Sequence, residues 1–190
     1  VYPIPRGVSY NAYLIRDEKT ALLDTVDQAI AERFFENLEH ALQGKPLNYV
    51  IVNHMEPDHA GSIAALCARQ PQLKLVANAR TFAILDQFSG DNPLAQERVT
   101  VADGGTLALG SHTLHFVLAP MVHWPEVMVA YEDSQKVLFS ADGFGNFGSL
   151  TYTDAWADEA RRYYCNIVGK YGVQVCLLYT SPSPRDYAAS

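Results

Sequence analysis

Cysteine is scarce: three residues in 190, at positions 67, 165 and 176, with no CxxC pair among them. That excludes a zinc knuckle or a rubredoxin-type iron centre built from this chain. If the protein moves electrons, it has no thiolate-bound relay of its own. The odd count reads as buried free thiols in a reducing, cytoplasmic compartment. Basic residues are also in deficit. Fourteen Lys and Arg stand against 21 Asp and Glu, for a net charge of −7. No basic footprint for nucleic acid follows from such a balance. No stretch comes near the ~20 apolar residues that a membrane helix needs. The opening VYPIPRGVSY lacks the charged-then-apolar profile of a signal peptide, and no initiator Met precedes it. The chain is therefore expected to be a segment of a longer protein. What is present is a globular composition, 48% hydrophobic and 18% charged, with length enough for one domain and a sizeable core.

The pattern along the chain is mixed. Residues 10–15 and 20–24 read as strands joined by the polar turn Arg16-Asp17-Glu18-Lys19. Apolar residues at Ile30, Phe34, Phe35, Leu38 and Leu42 predict a helix over 28–42, stopped by Gly44. Short apolar runs at 49–52 and 73–76 have the character of strands buried on both faces. Helices are expected from His59 to about Ala68 and over 81–88. After that the chain turns to strands, at 98–101, 106–109, 113–118, 127–131 and 136–139. Asp103-Gly104-Gly105 and Glu132-Asp133-Ser134 mark two of the turns between them. Asp154 is expected to cap a long helix that reaches about Leu178. An α/β sandwich satisfies this order: two β-sheets packed face to face with helices outside. The domain is drawn over 1–178. The tail, 179–190, carries Thr180-Ser-Pro-Ser-Pro-Arg-Asp186 and is expected to be disordered or foreign to the fold.

The chemistry concentrates where strands end. The run Tyr49-Val-Ile-Val52 leads directly into Asn53-His54-Met55-Glu56-Pro57-Asp58-His59, and a helix begins there. Loops at the carboxyl ends of strands are favoured places for functional groups in α/β proteins. One histidine alone is more often structural than a ligand, and one Asp before a helix is usually a cap. Two His, a Glu and an Asp in one short loop after a buried strand are different, because their charges need compensation that a metal supplies. His123, in the loop after 114–118, and Asp142, after 136–139, repeat the pattern. Asp142 has two oxygens and is the natural candidate to bridge two cations. His112 and His115 fall outside these loops and read as structural. Three His with three carboxylates suit iron or manganese better than the imidazole and thiolate sets common for zinc, though ligand type alone leaves zinc open. Gly143, Gly145 and Gly148 lack the βαβ context of a phosphate loop and read as allowing close backbone packing. Trp124 fits either the core or the surroundings of the site.

HxExDH at 54–59, His123-Trp124-Pro125, and Asp142 within LFSADGFGNFGSL together resemble the flavodiiron proteins, over about residues 2 to 175. The opening GVSYNAYLI and the run VIVNHMEPDHAGSI share in the likeness. Related metallo-β-lactamase-fold hydrolases carry HxHxDH, so Glu56 separates the two. The resemblance implies a metallo-β-lactamase-like αββα sandwich of two mixed β-sheets flanked by helices, followed in the family by a flavodoxin-like FMN domain. It implies a non-haem, oxygen-bridged di-iron site. His54, Glu56, His123 and Asp142 would hold one iron, and Asp58, His59 and bridging Asp142 the other. In some members the residue matching His59 turns away from the metal. A further His ligand and the FMN domain are expected beyond residue 190. The implied activity is reduction of dioxygen to water, of nitric oxide to nitrous oxide, or both. Electrons would come from a rubredoxin-like or other donor, through the FMN of a neighbouring subunit in a head-to-tail homodimer. A di-zinc hydrolase and an inactive, metal-poor fragment are the alternatives.

Overall fold

A computed structural model describes residues 7–149, 151 and 156–180. Strands β1 (Tyr13–Ile15) and β2 (Ala21–Leu23) form an antiparallel hairpin, and β3 (Tyr49–Ile51), β4 (Lys74–Ala77) and β5 (Arg98–Thr100) extend it in parallel. The strand order is β1-β2-β3-β4-β5. A second sheet contains β6 (Thr106–Ala108), β7 (Thr113–Leu118), β8 (Met128–Glu132) and β9 (Val137–Phe139). Its neighbours all pair antiparallel. The sandwich is as expected, but only the first sheet is mixed. Connections of four to nine residues join each strand of the second to the next, too short for the crossover that a parallel pair needs.

Helices α1 (Ala31–Leu42), α2 (Pro57–Ala60), α3 (Ile63–Arg69) and α4 (Ala79–Ser89) belong to the first half. In α1, Phe34, Phe35, Leu38 and Leu42 face inward at helical spacing. The helix ends where Gln43 and Gly44 both take positive φ. Asn78 starts α4 by accepting the amides of Arg80 and Thr81 at 2.9 and 3.0 Å. The expected helix over 28–42 begins as a 3-10 turn, Gln28–Ile30, which leaves Ile30 39% exposed rather than on the buried stripe.

Period-two alternation assigns the layers. Leu22, Val50, Val52, Leu75 and Ala77 pack with Phe34, Phe35, Leu38, Ile63, Leu66 and Phe82 from the helices. The opposite faces, with Leu23, Ile51 and Val76, meet Leu114, Phe116, Met128 and Ala130 of the second sheet. On that sheet's far side Val127 and Val129 pack against Val168 and Val175. These last belong to a helical stretch made of α5 (Trp156–Tyr163), a π-turn at Tyr164–Val168, a 3-10 turn at Gly169–Tyr171 and α6 (Gly172–Thr180). Asp154, the expected cap, lies outside the described residues, as does the chain from 181.

All three cysteines are free thiols, but only Cys67 is buried. Cys165 and Cys176 are exposed, against expectation, because the C-terminal stretch packs through one side only. Among the described residues no helix is long and apolar enough to cross a membrane.

Candidate metal centre

Parallel pairing puts the carboxyl ends of β2 and β3 on one rim of the first sheet. The antiparallel second sheet likewise brings the ends of β7 and β9 to one edge. The two rims are stitched where the Met128 amide donates to the Asn53 carbonyl at 3.0 Å. Asp24 follows β2, residues 53–59 follow β3, His123 follows β7 and Asp142 follows β9. Pro57 and Asp58 occupy the first turn of α2, where a missing N–H costs nothing and a carboxylate is favoured.

Six predicted residues converge there. His54 Nε2 lies 3.3 Å from Glu56 Oε2 and 3.6 Å from Asp142 Oδ2. His123 Nε2 lies 3.0 Å from Glu56 Oε2 and 3.1 Å from Asp142 Oδ2. On the other side of Asp142, His59 Nε2 is 3.1 Å from Oδ1 and 3.9 Å from Asp58 Oδ2. Two donor groups result, His54-Glu56-His123-Asp142 and Asp58-His59-Asp142, each with its atoms within 4.8 Å of one another. Asp142 belongs to both and offers one oxygen to each.

The electrostatics are those of donors pressed together. Burial works against protonation of His59 and His123, yet the hydrogen bonds they donate to Asp142, with Asp24 for His59 and Glu56 for His123, outweigh it. Their pKa values rise to about 11 and about 9. Hydrogen bonds from His123 and His54 pull the Glu56 carboxyl down to about 2. Asp142 is also held well below its ordinary value, burial notwithstanding, by His123 and His59. Asp58 differs: burial pushes its pKa up. Its Oδ1 is buried and finds no hydrogen-bond donor among the described residues. A cation between Asp58, His59 and Asp142 would satisfy that oxygen, so the donor set fits a metal.

Three supporting residues were not singled out from the sequence. Glu126, fully buried, accepts from His54 Nδ1 at 2.8 Å and from the Met55 amide at 3.0 Å. Asp24, 4% exposed, accepts from His59 Nδ1 at 3.2 Å. Tyr163, on α5, lines the site beside Asp142, and burial together with that carboxylate's negative charge drives its phenol far above the ordinary value. Asp24 carried a signal, since ALLD ends an apolar strand as LFSAD does. Glu126 and Tyr163 carried none. His112 and His115 stay outside the cluster, paired to Asp17 at 2.9 Å and Asp133 at 3.1 Å. Trp124 serves both expected roles, with its ring edge-on to His54 at 5.2 Å and its side chain against the core. A Cβ on Gly145 would stand 2.7 Å from the Tyr163 ring, the close approach expected of that glycine. The site opens into a cavity of about 610 Å³ lined by Tyr10, Tyr13, Phe139, Phe144 and Phe147 as well as by the acidic residues.

Residues 8–169 match the family described as ODP family beta lactamase. The chain belongs to that family. Its resemblance to flavodiiron proteins holds as well. The chain is 34% identical over 183 residues to an anaerobic nitric oxide reductase flavorubredoxin of Vibrio vulnificus, covering 92% of this chain and 36% of that protein. The crystal structure of the flavodiiron protein from Giardia intestinalis superposes with a TM-score of 0.82 at 30% identity, covering 91% of this chain and 44% of that one. Rubredoxin oxygen:oxidoreductase from Desulfovibrio gigas superposes with a TM-score of 0.81 at 32% identity, covering 90% and 44%. The chain thus spans about a third of that curated relative's length and under half of those structures.

Proposed function

We propose that this member of the ODP family is the di-iron half of a flavodiiron oxidoreductase, reducing nitric oxide to nitrous oxide, dioxygen to water, or both. In this reading His54, Glu56, His123 and Asp142 would hold one iron, and Asp58, His59 and Asp142 the second. The observation that carries it is Glu56. Its Oε2 stands beside His54 and His123 Nε2, where the hydrolase pattern would put a third imidazole. Added carboxylate oxygen favours iron over zinc. The names of the relatives, nitric oxide reductase flavorubredoxin and rubredoxin oxygen:oxidoreductase, support the same chemistry.

When bound, the two irons would supply electrons and Lewis acidity to a diatomic substrate. The chain's own residues do the rest. Asp142, shared by both donor groups, would serve both irons. Glu126 and Asp24 hold His54 and His59 by their Nδ1 atoms and leave Nε2 facing inward. The Tyr163 hydroxyl, buried beside the Asp142 carboxylate, keeps its proton. Tyr10, Tyr13, Phe139, Phe144 and Phe147 give the cavity beside the donors an aromatic wall. FMN, carried outside this chain on a neighbouring subunit of a head-to-tail dimer, would return electrons drawn from a rubredoxin-like donor. The free thiols suit a cytoplasmic setting.

The test begins with anaerobic iron loading. Metal-free chain is loaded with ferrous iron, mixed with nitric oxide or with dioxygen, and followed by headspace gas analysis and oxygen uptake. Nitrous oxide or oxygen consumption should appear only with two irons bound. A chain that takes zinc in preference to iron and hydrolyses esters or thioesters supports the hydrolase instead, and one that binds neither metal supports the inactive fragment.

A further inference from the structure

The orientation of His59 is the least determined part of the site from sequence, and the structure gives it a specific cause. Asp24 sits at the end of β2 with φ at +56°, a left-handed backbone that folds its side chain back toward the neighbouring strand end. Its Oδ1 accepts the Asn53 amide at 2.7 Å. Its Oδ2 accepts from His59 Nδ1 at 3.2 Å and from Asn53 Nδ2 at 3.5 Å. The next residue grips the backbone of His59: the amide and the hydroxyl of Thr25 both donate to the His59 carbonyl, at 2.7 and 2.8 Å. Ring and main chain of His59 are therefore held by one loop from the adjacent strand. With Nδ1 taken by Asp24, only Nε2 faces Asp142 and Asp58.

Resting on the two-metal reading above, we infer that Asp24 is a positioning residue that decides whether His59 ligates the second metal ion. It acts by fixing the ring's direction and its tautomer. A carboxylate can only accept from Nδ1, so the imidazole proton stays on Nδ1 and the Nε2 lone pair is free for the metal. Loop 24–25, and not the HxExDH loop alone, then determines whether the chain holds one ion or two.

Asp24→Asn is the informative variant because it is isosteric. Asparagine has one acceptor oxygen. If that oxygen keeps the Asn53 amide, the NH2 group faces His59 Nδ1, which must then accept and shift the proton to Nε2. The variant keeps its shape and presents the wrong tautomer. Metal-free chain is titrated anaerobically with cobalt(II), read by visible absorption, for the unaltered protein, Asp24→Asn, His59→Ala and the double variant. We expect two cobalt ions in the unaltered chain. Each single variant should leave the first step unchanged and weaken the second by about 10- to 100-fold, the effect usual for loss of a group that orients a metal ligand. The double variant should be no weaker than His59→Ala, since Asp24 acts only through that ring. Wild-type affinity for the second ion in Asp24→Asn, or losses that multiply in the double variant, overturns the assignment. Fewer than two ions in the unaltered chain overturns the two-metal reading itself and takes this assignment with it. Should Asp24→Asn fail to fold, long-range nitrogen-proton correlation spectra of the unaltered, zinc-loaded chain decide the matter. A protonated Nδ1 with metal on Nε2 of His59 supports the assignment, and the reverse arrangement refutes it.

Discussion

Replacing Glu126 separates the fold's need for a buried acceptor from the metal's need for a buried charge. Both hydrogen bonds to this side chain, from His54 Nδ1 and the Met55 amide, end on the same oxygen, Oε1. The other oxygen, Oε2, is buried with no partner among the described residues. Glu126→Gln can therefore keep both bonds through its carbonyl and put its NH2 where Oε2 was. Glu126→Ala loses both. Each orphaned buried donor costs about 1–3 kcal/mol, so alanine should remove about 2–6 kcal/mol of stability. Against a total of about 5–15 kcal/mol that is severe. The two variants should differ less at the metal. Both lose the carboxylate that raises the basicity of His54, and loss of such support weakens metal binding about 10- to 100-fold, or about 1.4–2.7 kcal/mol. Urea unfolding of the metal-free chains, followed by circular dichroism, reads the first quantity. Competition with a chromophoric chelator for ferrous iron reads the second. The reasoning fails if Glu126→Ala unfolds at the wild-type midpoint, or if Glu126→Gln binds iron as tightly as the parent.

Other outcomes follow from the same geometry. Glu56→His restores the hydrolase ligand pattern and should shift the metal content of cells grown with both metals from iron toward zinc; unchanged iron loading would undo the argument from position 56. Gly61→Ala sets a Cβ 2.5 Å from the Pro57 carbonyl oxygen and 3.3 Å from the Val26 carbonyl. It should cost about 1–3 kcal/mol by overpacking and loosen iron, because residues 54–59 must shift; a wild-type melting temperature argues against that contact. In the metal-free chain the raised pKa values of His59 and His123 stabilise the fold fully below about pH 6.5, and that contribution is lost as pH rises through about 9 and then about 11. Metal must displace the same protons, so iron affinity should climb from pH 6.5 to 9 with proton release measurable by calorimetry in two buffers; a pH-independent affinity counts against histidine ligation. Cys165 and Cys176 should react rapidly with a thiol reagent at pH 8. Cys67, whose thiol burial pushes up to about 11, should react only after unfolding.

Much of the site is legible in the sequence. All six proposed ligands sit where apolar strands stop, and a cluster of charge at such points is visible in the order of residues alone. The strands of the second sheet were legible because their turns carry Gly, Asp and Ser in tight succession. What stayed hidden depends on partners far away in sequence. Glu126 looks like a loop residue until β8 brings it under His54, 72 positions earlier. Asp24 looks like a turn residue until a positive φ and the parallel pairing of β2 with β3 direct it at His59. The C-terminal stretch reads as one helix, since the π-turn at Tyr164–Val168 leaves no compositional mark. Exposure of Cys165 and Cys176 likewise follows from which side of that stretch meets the second sheet.

The most direct measurement is an anomalous difference map from crystals of the iron-loaded chain, with data collected at the iron and zinc absorption edges. The account predicts two iron peaks on either side of Asp142, about 3.5–4 Å apart as in other two-metal sites. One peak should touch His54, Glu56 and His123, and the other Asp58 and His59. A single peak, a signal at the zinc edge alone, or iron bound away from Asp142 would contradict it.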